Sequence, residues 1–488
     1  RSLTISAPFP YWKRGGAVLI GACLIGLCIF GIRGRTGYNP IKVSAAYFCQ
    51  DAFLNQLGVS PTFNLLTSVM DDMRPENKYL HLMDEQEAIT KAQALLNRPG
   101  DANVSPLAVY RRAAKADSVQ QRRPNVVLIM MESMSAKFMK HFGQSETLTP
   151  FLDSLYTRSI SFRNFYSAGI HTNHGLYATL YSFPAMMKRN LMKGSVIPRY
   201  SGLPTVLKEN GYYNLFFMTH EGQYDNMNAF FRTNGYDEVF SQEDYPADKV
   251  VNSFGVQDDF LYDYAIPVLN QRAATGQPFF ATLLSISNHP PYVIPPFFHP
   301  KTSEPEMQIV EYADWALRQF FEEARKQPWF DNTIFVLEGD HGKLVGDAEC
   351  ELPESYNHIP LMIYSNRIQP EEKTAFGGQV DIQPTILGLL NIDYLQNNFG
   401  VDLLKEERPC MFYTADNMVV GRNDTLLYLY NYETQQELTY DIGNGKLNAV
   451  PMDDSFLPLK EYSFSMLQSA EFLVKHGKTL NSIPFTQQ

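Results

Sequence analysis

Four short apolar runs, each followed by a polar residue, constrain the fold of this chain more than any other feature. The first run, VVLIMM at 126–131, is continuous and does not alternate apolar with polar residues. Such runs are typical of strands buried on both faces of a parallel sheet. Helical and strand patterns alternate between the runs, which predicts an α/β doubly wound, mostly parallel sheet. The residues that end the four runs are, in chain order, Glu132, His220, Asn288 with His289, and Asp340 with His341.

The ends of these predicted strands indicate where a ligand would bind. Open α/β sheets bind ligands beyond the carboxyl ends of their strands. A polar residue after a single strand usually begins a loop or caps the next helix. Loop formation explains one polar strand end, but it does not explain why four of them come to the same edge of the sheet. We therefore expect a functional site at that edge.

Three of these residues predict a metal site. Glu132, Asp340 and His341 offer two carboxylates and one imidazole, with no thiolate. This ligand set favours one divalent ion, with Mn²⁺ as the first choice and Mg²⁺ or Zn²⁺ as alternatives. It also leaves a coordination position for a hydroxyl, which such an ion makes acidic enough to attack phosphorus or sulfur.

Thr172, in the stretch GIHTNHGLYATL, is the candidate hydroxyl. The residues after it predict a helix, so Thr172 lies at or just before a helix N-terminus. One interpretation makes it an N-cap, and local sequence alone favours that interpretation. The other makes it a nucleophile and metal ligand, since free N–H groups at a helix start bind phosphate oxygens. Ser167 and Thr179 are weaker candidates, and His171 and His174 have no assigned role.

The apolar segment 15–32 predicts an N-terminal transmembrane helix, within a membrane segment at 1–36. Eighteen residues without a charge are about long enough to span a bilayer core of roughly 30 Å. A secretory signal fits less well, because GIRGRTGYNP offers a poor cleavage site. Basic residues on both flanks leave the orientation open. Because the sequence begins with Arg1, we expect further sequence upstream, and the number of membrane helices there stays open.

The rest of the chain divides into three predicted regions. Residues 37–123 are expected to form a juxtamembrane linker with helical patterns near 51–70 and 84–97. Residues 124–404 form the predicted catalytic domain. Residues 405–488 alternate like a smaller set of antiparallel strands and end in a helical tail at 459–475.

Charge and cysteine usage exclude several classes of protein. A net charge of −11 without a basic stripe argues against a nucleic-acid partner. The five cysteines show neither zinc-site nor disulfide-framework spacing. Whether Cys49, Cys350 or Cys410 form one bridge stays open.

An ordered set of motifs resembles a known family. PNVVLIMMES, GIHTNHGLYATL, SISNHPPY, EYADWALRQFF and TIFVLEGDHG follow the order of the lipoteichoic acid synthase and phosphoglycerol transferase family, a membrane-anchored branch of the alkaline phosphatase/sulfatase superfamily. The resemblance covers about residues 37–405. It implies an alkaline phosphatase/sulfatase-type sheet with one Mn²⁺-like ion. The ion's implied ligands are Glu132, Asp340, His341 and Thr172, with Thr172 also the nucleophile.

The resemblance also implies substrate contacts, and the chain departs from it in one place. His289 matches a histidine that contacts the substrate, and His220 lies near other substrate-contacting positions. Related Gram-positive sequences carry Trp-Asn-Arg where this chain has Asp225-Asn226-Met227. The missing arginine removes a bidentate phosphate clamp, which leaves the exact substrate open.

Comparison with other branches of the superfamily disfavours one type of reaction and one type of metal site. The chain has no C/S-x-P-x-R sequence around Thr172, which disfavours sulfate ester hydrolysis by an oxidised nucleophile. The first strand ends in one carboxylate only, which favours a single metal over two.

The resemblance therefore predicts an enzyme that transfers phosphoglycerol from a membrane phospholipid through a covalent phospho-threonine. Its partners would be the bilayer and a glycan or polymer acceptor. Its place would be the bacterial cytoplasmic (inner) membrane, with the catalytic domain on the outer side. Phosphoethanolamine transfer and phosphodiester or phosphomonoester hydrolysis are alternatives. A non-catalytic membrane-anchored binding protein is disfavoured by the complete ligand set. The acceptor, the exact lipid and the oligomeric state stay open.

Overall fold

A computed structural model describes residues 11–36, 40–49, 52–74, 77–98, 101–104, 107–111, 123–194 and 197–480. It confirms the predicted α/β fold, with a mostly parallel main sheet, a separate antiparallel sheet near the C-terminus and an apolar N-terminal helix.
The helices are α1 Tyr11–Arg33, α2 Ala52–Leu57, α3 Pro61–Asp72, α4 Glu85–Leu96, α5 Pro150–Tyr156, α6 Thr172–Tyr181, α7 Leu203–Glu209, α8 Met227–Thr233, α9 Asp258–Ala273, α10 Pro305–Ala324, α11 Ile382–Leu389 and α12 Leu457–Lys475.
The strands are β1 Ala102–Asn103, β2 Val109–Arg111, β3 Asn125–Met131, β4 Ile160–Tyr166, β5 Tyr213–Met218, β6 Glu238–Phe240, β7 Val250–Asn252, β8 Gly255–Val256, β9 Phe279–Leu284, β10 Thr333–Gly339, β11 Leu361–Tyr364, β12 Glu371–Gly378, β13 Tyr394–Gln396, β14 Met411–Thr414, β15 Met418–Arg422, β16 Leu426–Asn431, β17 Gln436–Asp441 and β18 Asn448–Ala449.

The main sheet has eight strands in the order β12-β4-β11-β10-β3-β9-β5-β6. Strand β11 pairs antiparallel with both of its neighbours, and every other pair recorded in this sheet is parallel. Seven strands therefore run in one direction, so the carboxyl ends of β3, β5, β9 and β10 lie at the same edge. The four polar strand ends of the sequence meet there.

The central strand β3 explains why the apolar runs do not alternate. Val126, Leu128 and Met130 belong to a core on one face of the sheet. Val127 and Ile129 belong to a second core on the other face. Helices α6, α7, α8 and α11 contribute to the first core, and α5, α9 and α10 contribute to the second. A strand buried on both faces needs an apolar side chain at every position.

The segment before the main sheet is less purely helical than its sequence suggests. It contains α2, α3 and α4, but also β1 and β2. Strand β2 pairs with β13, which lies near the C-terminal end of the predicted catalytic region in the chain. Helix α4 packs on α12. The predicted boundary at residue 123 falls beside residues 112–122, which lie outside the described residues.

A buried ion pair connects the main sheet region to the chain before the C-terminal sheet. The sequence suggests that Asp381 caps the helix that follows it. Its carboxylate makes no side-chain cap to α11 and instead accepts from Arg408 Nε at 2.9 and 3.0 Å. It also accepts from the backbone N–H groups of Gly378 and Val401 at 2.9 and 2.8 Å. Asp381 therefore holds the N-cap position of α11, as the sequence suggests, but its side chain bonds Arg408 instead of capping the helix.

Candidate active site

Glu132 and Asp340 lie side by side because they follow neighbouring parallel strands. Strands β3 and β10 pair in register, with Met131 opposite Gly339. The next residue of each strand is therefore one of the two acids. His341 follows directly, and the ligand atoms of the three side chains all lie within 4.8 Å of one another. The predicted triad is assembled in space.

Hydrogen bonds orient the three side chains. Asp340 Oδ1 accepts from the backbone N–H groups of Ser133 and His341 at 2.8 and 2.7 Å. Its Oδ2 is buried and has no hydrogen-bond partner among the described residues. His341 Nδ1 lies 2.8 Å from the Gly342 carbonyl oxygen. With the proton on Nδ1, that nitrogen donates to the carbonyl, and Nε2 presents its lone pair to the carboxylates.

The electrostatics of the triad fit a cation. Burial first, and the Asp340 charge second, raise the pKa of Glu132 well above its usual range. Over the described ranges, the one ion-pair partner recorded within 4.0 Å of either acid is His341, at 3.6 and 3.9 Å. Two buried carboxylates without a strong counter-charge are costly to ionise. A divalent ion between them would remove that cost, so the residues present fit a metal.

Thr172 is the first residue of α6 rather than its cap. The N-cap position belongs to His171, which makes no side-chain cap hydrogen bond. The Thr172 hydroxyl instead donates to Glu132 Oε2, at 3.4 Å. The capping interpretation, which local sequence favours, is wrong. The hydroxyl faces the triad.

Gly175 permits this approach. A Cβ at this position would overlap the carbonyl oxygen of Asp340. Gln379 fixes the same carbonyl by donating from Nε2 at 2.7 Å. A side chain at position 175 would separate α6 from the end of β10. The sequence shows this glycine, but not the close contact that requires it.

His220 and His289 lie at separate places around the triad. His220 is buried, its ring lies 4.6 Å from that of Tyr224, and burial lowers its pKa to about 4. The rings of His289 and Phe254 contact each other in a tilted arrangement, with centroids 3.9 Å apart, and His289 Nδ1 lies 2.6 Å from the Pro290 carbonyl oxygen. Burial is the main cause that lowers the pKa of His289, and the nearby charge of His341 adds to it. Neither histidine is recorded in a hydrogen bond with the triad.

The two histidines beside Thr172 do different things. His171 Nε2 pairs with Asp416 Oδ1 at 2.7 Å. His174 is fully buried, and burial lowers its pKa to about 3. His174 therefore stays uncharged at neutral pH.

Several polar residues of the site are not predicted by sequence reasoning. Asn288 donates to the carbonyl oxygens of Glu132 and Ser133, both at 3.1 Å, and accepts from Lys343 Nζ at 2.8 Å. The usable signal for Lys343 is its position two residues after the Asp-His pair. For Asn288 the sequence indicates only its position at a strand end.

A second cluster adjoins Thr172 on the other side. Asn173 donates to Asp225 Oδ2 at 3.3 Å, and Lys193 Nζ lies 2.7 Å from Asp225 Oδ1. Asp225 begins the stretch Asp225-Asn226-Met227, in which this chain lacks the arginine that the family resemblance implies. Lys193 thus brings a positive charge next to that place, and no local sequence pattern connects the two residues.

Comparisons with known proteins identify the family of this chain. A family model described as sulfatase matches residues 124–392. Lipoteichoic acid synthase 1 of Bacillus subtilis is 25% identical over 350 residues, which are 66% of this chain and 53% of that protein. The chain spans about half the length of the synthases it matches.

Two solved structures share the fold. A protein in the alkaline phosphatase superfamily from Vibrio parahaemolyticus superposes with a TM-score of 0.73 and 26% identity, over 82% of this chain and 98% of that one. The lipoteichoic acid synthase LtaP from Listeria monocytogenes gives a TM-score of 0.63 at 21% identity, over 72% and 93%.

Proposed function

The chain belongs to the sulfatase family, and from that premise we propose that it is a metal-dependent transferase of phosphoglycerol from a membrane phospholipid, acting through a covalent phospho-threonine. The observation that carries the proposal is the Thr172 hydroxyl on Glu132 Oε2, within the buried triad of Glu132, Asp340 and His341. The similarity to lipoteichoic acid synthases supports the substrate class.

The proposed cofactor is one divalent ion held by Glu132, Asp340, His341 and Thr172. Mn²⁺ is the first choice, and Mg²⁺ and Zn²⁺ suit the same ligands. Such an ion supplies Lewis acidity, which lowers the pKa of the hydroxyl and neutralises charge on the phosphate oxygens. Two atoms of the triad are left to bind the ion. Asp340 Oδ2 has no hydrogen-bond partner among the described residues, and His341 Nε2 has a free lone pair when Nδ1 donates to Gly342.

In the first half-reaction, Thr172 Oγ1 attacks the phosphorus of the lipid head group. The hydrogen bond to Glu132 Oε2 orients the hydroxyl, which loses its proton to water as the new O–P bond forms. The P–O bond to diacylglycerol breaks, and the leaving oxygen takes up a proton from water, so that diacylglycerol departs as the alcohol and the protons balance. The free N–H groups at the start of α6 stabilise the phosphate oxygens.

In the second half-reaction, an acceptor hydroxyl attacks the same phosphorus. The P–O bond to Thr172 breaks, and the threonine hydroxyl is restored. His289 suits contact with substrate hydroxyls, because donation from Nδ1 to the Pro290 carbonyl leaves Nε2 as an acceptor. His220 completes the proposed substrate contacts on the side of Asp225.

The proposed location is the bacterial cytoplasmic membrane, with the catalytic domain on its outer side. Helix α1 is long and apolar enough to cross a membrane, and its apolar stretch Gly15–Arg33 is not buried against the protein. A lipid substrate lies at the bilayer surface, so an anchored enzyme meets it without release into water. The acceptor would be a glycan or a growing polymer.

Phosphoethanolamine transfer is the second candidate. The observation that favours it is the lack of an arginine in Asp225-Asn226-Met227, which removes the bidentate phosphate clamp that the family resemblance implies. The Asp225 carboxylate is paired with Lys193 at 2.7 Å, so an ammonium head group would have to displace that lysine.

Release of diacylglycerol tests the proposal. The full chain in detergent with Mn²⁺ is given fluorescent phosphatidylglycerol, and we expect diacylglycerol release that Thr172→Ala abolishes and Thr172→Ser retains in part. Transfer of the label to Thr172 in the absence of acceptor would show the covalent intermediate. Release from phosphatidylethanolamine alone would replace phosphoglycerol by phosphoethanolamine. Release that persists in Thr172→Ala would refute the nucleophile.

A further inference from the structure

Helix α3 exposes its apolar face and turns polar side chains toward the protein, the reverse of the usual arrangement. A surface helix of a globular protein buries its apolar stripe and exposes its polar face. Positions i, i+1, i+4, i+5 and i+8 share one face of a helix. On α3 and its C-cap that face is apolar and between 50% and 77% exposed: Leu65, Leu66, Val69, Met70 and Met73.

The polar face of α3 is turned inward. Ser68 and Asp71 line a cavity of about 300 Å³, whose other walls include Lys188 and Lys193. Lys193 also pairs with Asp225, which bonds Asn173 next to Thr172. The inward face of α3 therefore borders a polar space that adjoins the candidate active site. Its apolar face stays at least half exposed at each of the five positions.

The end of the apolar helix α1 is fixed beside the same site. Arg35 Nη2 lies 2.6 Å from Glu221 Oε1, directly after His220. Asn228 Nδ2 donates to the Tyr47 carbonyl oxygen at 3.1 Å. The segment that leaves the membrane helix is thus held against the loop after β5. This contact turns the carboxyl edge of the main sheet toward the end of α1.

The exposed apolar surface continues along this segment. Phe48, Leu54 and Leu57 are exposed by 70%, 46% and 69%. They precede the stripe on α3 and follow the end of α1. An apolar surface of this extent would favour aggregation if it were exposed to water.

We propose that α3 lies in the lipid–water interface of the membrane that α1 crosses, with its apolar stripe in the acyl region and its polar face over the cavity. A helix with one apolar face and one polar face binds a bilayer in this orientation. The bilayer is the fitting occupant because the stripe follows a membrane-length helix in the chain, at a site edge to which the end of that helix is bound through Arg35 and Glu221, and because the stripe carries no charge. Arg74, 53% exposed at the helix end, can extend to the head groups.

This inference deepens the proposed function and rests on it for its purpose. A lipid head group could then enter the site from the bilayer surface without the acyl chains leaving the membrane. The immersion of α3 is itself independent of any activity, so it can be tested separately.

A depth measurement tests the immersion. The cysteines of the described chain are all free, so a cysteine-free full-length protein breaks no disulfide. Leu66→Cys in that protein is labelled with the fluorophore NBD and placed in nanodiscs that hold one copy each. Ala274→Cys is the matched control, because Ala274 is exposed just before the amino end of β9, at the opposite edge of the sheet.

We expect a shallow spin-labelled lipid to quench the label at position 66 at least threefold more than the label at 274. Iodide in the water should quench position 274 more strongly. Equal quenching at both positions would overturn the inference. So would a signal at position 66 that appears only in discs with two copies, since the stripe would then cover a second chain.

An activity measurement links the helix to the lipid substrate. Leu66→Glu with Met70→Glu should lower turnover of phosphatidylglycerol in vesicles at least tenfold. Turnover of a water-soluble phosphodiester should change less than twofold, since both side chains are exposed and touch no site residue. Ala274→Glu with Gln277→Glu adds the same charge at the opposite edge and should leave both rates unchanged. Equal loss on both substrates would contradict a role in lipid access. Absent turnover of any phospholipid by the unmodified protein would contradict the proposed function, and the depth result would still stand.

Discussion

Ser133 has a strained backbone that serves the residues around it. Its φ is +50°, in the left-handed region that non-glycine residues rarely adopt. Such a conformation costs roughly 1–3 kcal/mol. In return, its N–H reaches Asp340 Oδ1 at 2.8 Å and its hydroxyl reaches Glu132 Oε1 at 2.6 Å. The strain lies where two proposed metal ligands are oriented.

The proposed metal site predicts that substitutions of two buried glutamates have very different effects on metal affinity. Glu132→Gln should weaken Mn²⁺ binding at least 100-fold, because a neutral amide replaces a charged ligand. Glu338→Gln is the matched control. Glu338 is also fully buried, two residues before Asp340, but it accepts from Thr179 Oγ1 at 2.6 Å. Its substitution should change metal affinity less than threefold. Calorimetry and elemental analysis measure both, and full metal content in Glu132→Gln would refute the site.

His220 predicts a pH-dependent stability. Burial lowers its pKa in the folded protein to about 4, from an ordinary value of 6.5. A lowered histidine pKa gives stability that is present above 6.5 and lost as the pH falls toward 4. Between pH 7 and pH 5 the loss from this one group is about 2 kcal/mol, at 1.36 kcal/mol for each unit of pKa shift.

Denaturant unfolding of His220→Leu measures this contribution. The variant should lose about 2 kcal/mol less stability than the unmodified protein over the same pH interval. Other buried histidines contribute equally to both proteins, so the difference isolates His220. Equal losses would mean that the imidazole is solvated in the folded state.

At the scale of elements, the site depends on how closely α6 approaches the end of β10. The helix begins at Thr172 and passes Asp340 at Gly175, where no side chain fits. The same close packing allows the Thr172 hydroxyl to reach Glu132. The position of the candidate nucleophile is thus decided by a helix–strand contact.

Gly175→Ala should therefore impair both stability and activity. The added methyl group must displace α6 or the Asp340 backbone, and overpacking of this kind costs about 1–3 kcal/mol. Diacylglycerol release should fall at least tenfold, because the hydroxyl moves away from Glu132. Gly443→Ala is the control, since its Cβ would meet nothing closer than 3.3 Å. Unchanged activity in Gly175→Ala would show that the approach is not needed.

At the scale of the whole molecule, the Asp381–Arg408 pair holds separate regions together. Asp381 precedes α11, and Arg408 precedes the C-terminal sheet. Both side chains are buried, and Arg408 also donates to the Tyr462 hydroxyl on α12 at 2.6 Å. Attraction to Asp381 raises the pKa of Arg408 even though burial lowers it. The guanidinium of Arg408 therefore remains charged.

Arg408→Met should cost about 3–5 kcal/mol of unfolding free energy, because it leaves Asp381 buried and unpaired. The double variant Asp381→Asn with Arg408→Met should recover part of that loss. Arg318→Met on α10 removes an exposed pair with Glu322 and should change stability by less than about 1 kcal/mol. Equal effects of the buried and exposed substitutions, measured by denaturant unfolding, would contradict this account.

The amino-acid sequence by itself determined the fold class and the location of the site. Continuous apolar runs require strands covered on both faces, and parallel strands bring their carboxyl ends to one edge. The ligand types of Glu132, Asp340 and His341 then define the kind of ion that suits them. The fold prediction is confirmed because strand burial is a property of short segments. The metal site stays a proposal, which rests on ligand chemistry that is also a property of short segments.

Only the tertiary structure decided which groups those residues contact. Local sequence favours caps for Thr172 and Asp381, yet their side chains bond Glu132 and Arg408. The pairing of Lys193 with Asp225 and the outward apolar face of α3 are also invisible in the sequence pattern. The physical reason is that a short polar side chain bonds whichever partner the packed elements bring within about 3 Å. That distance is set by contacts between segments far apart in the chain.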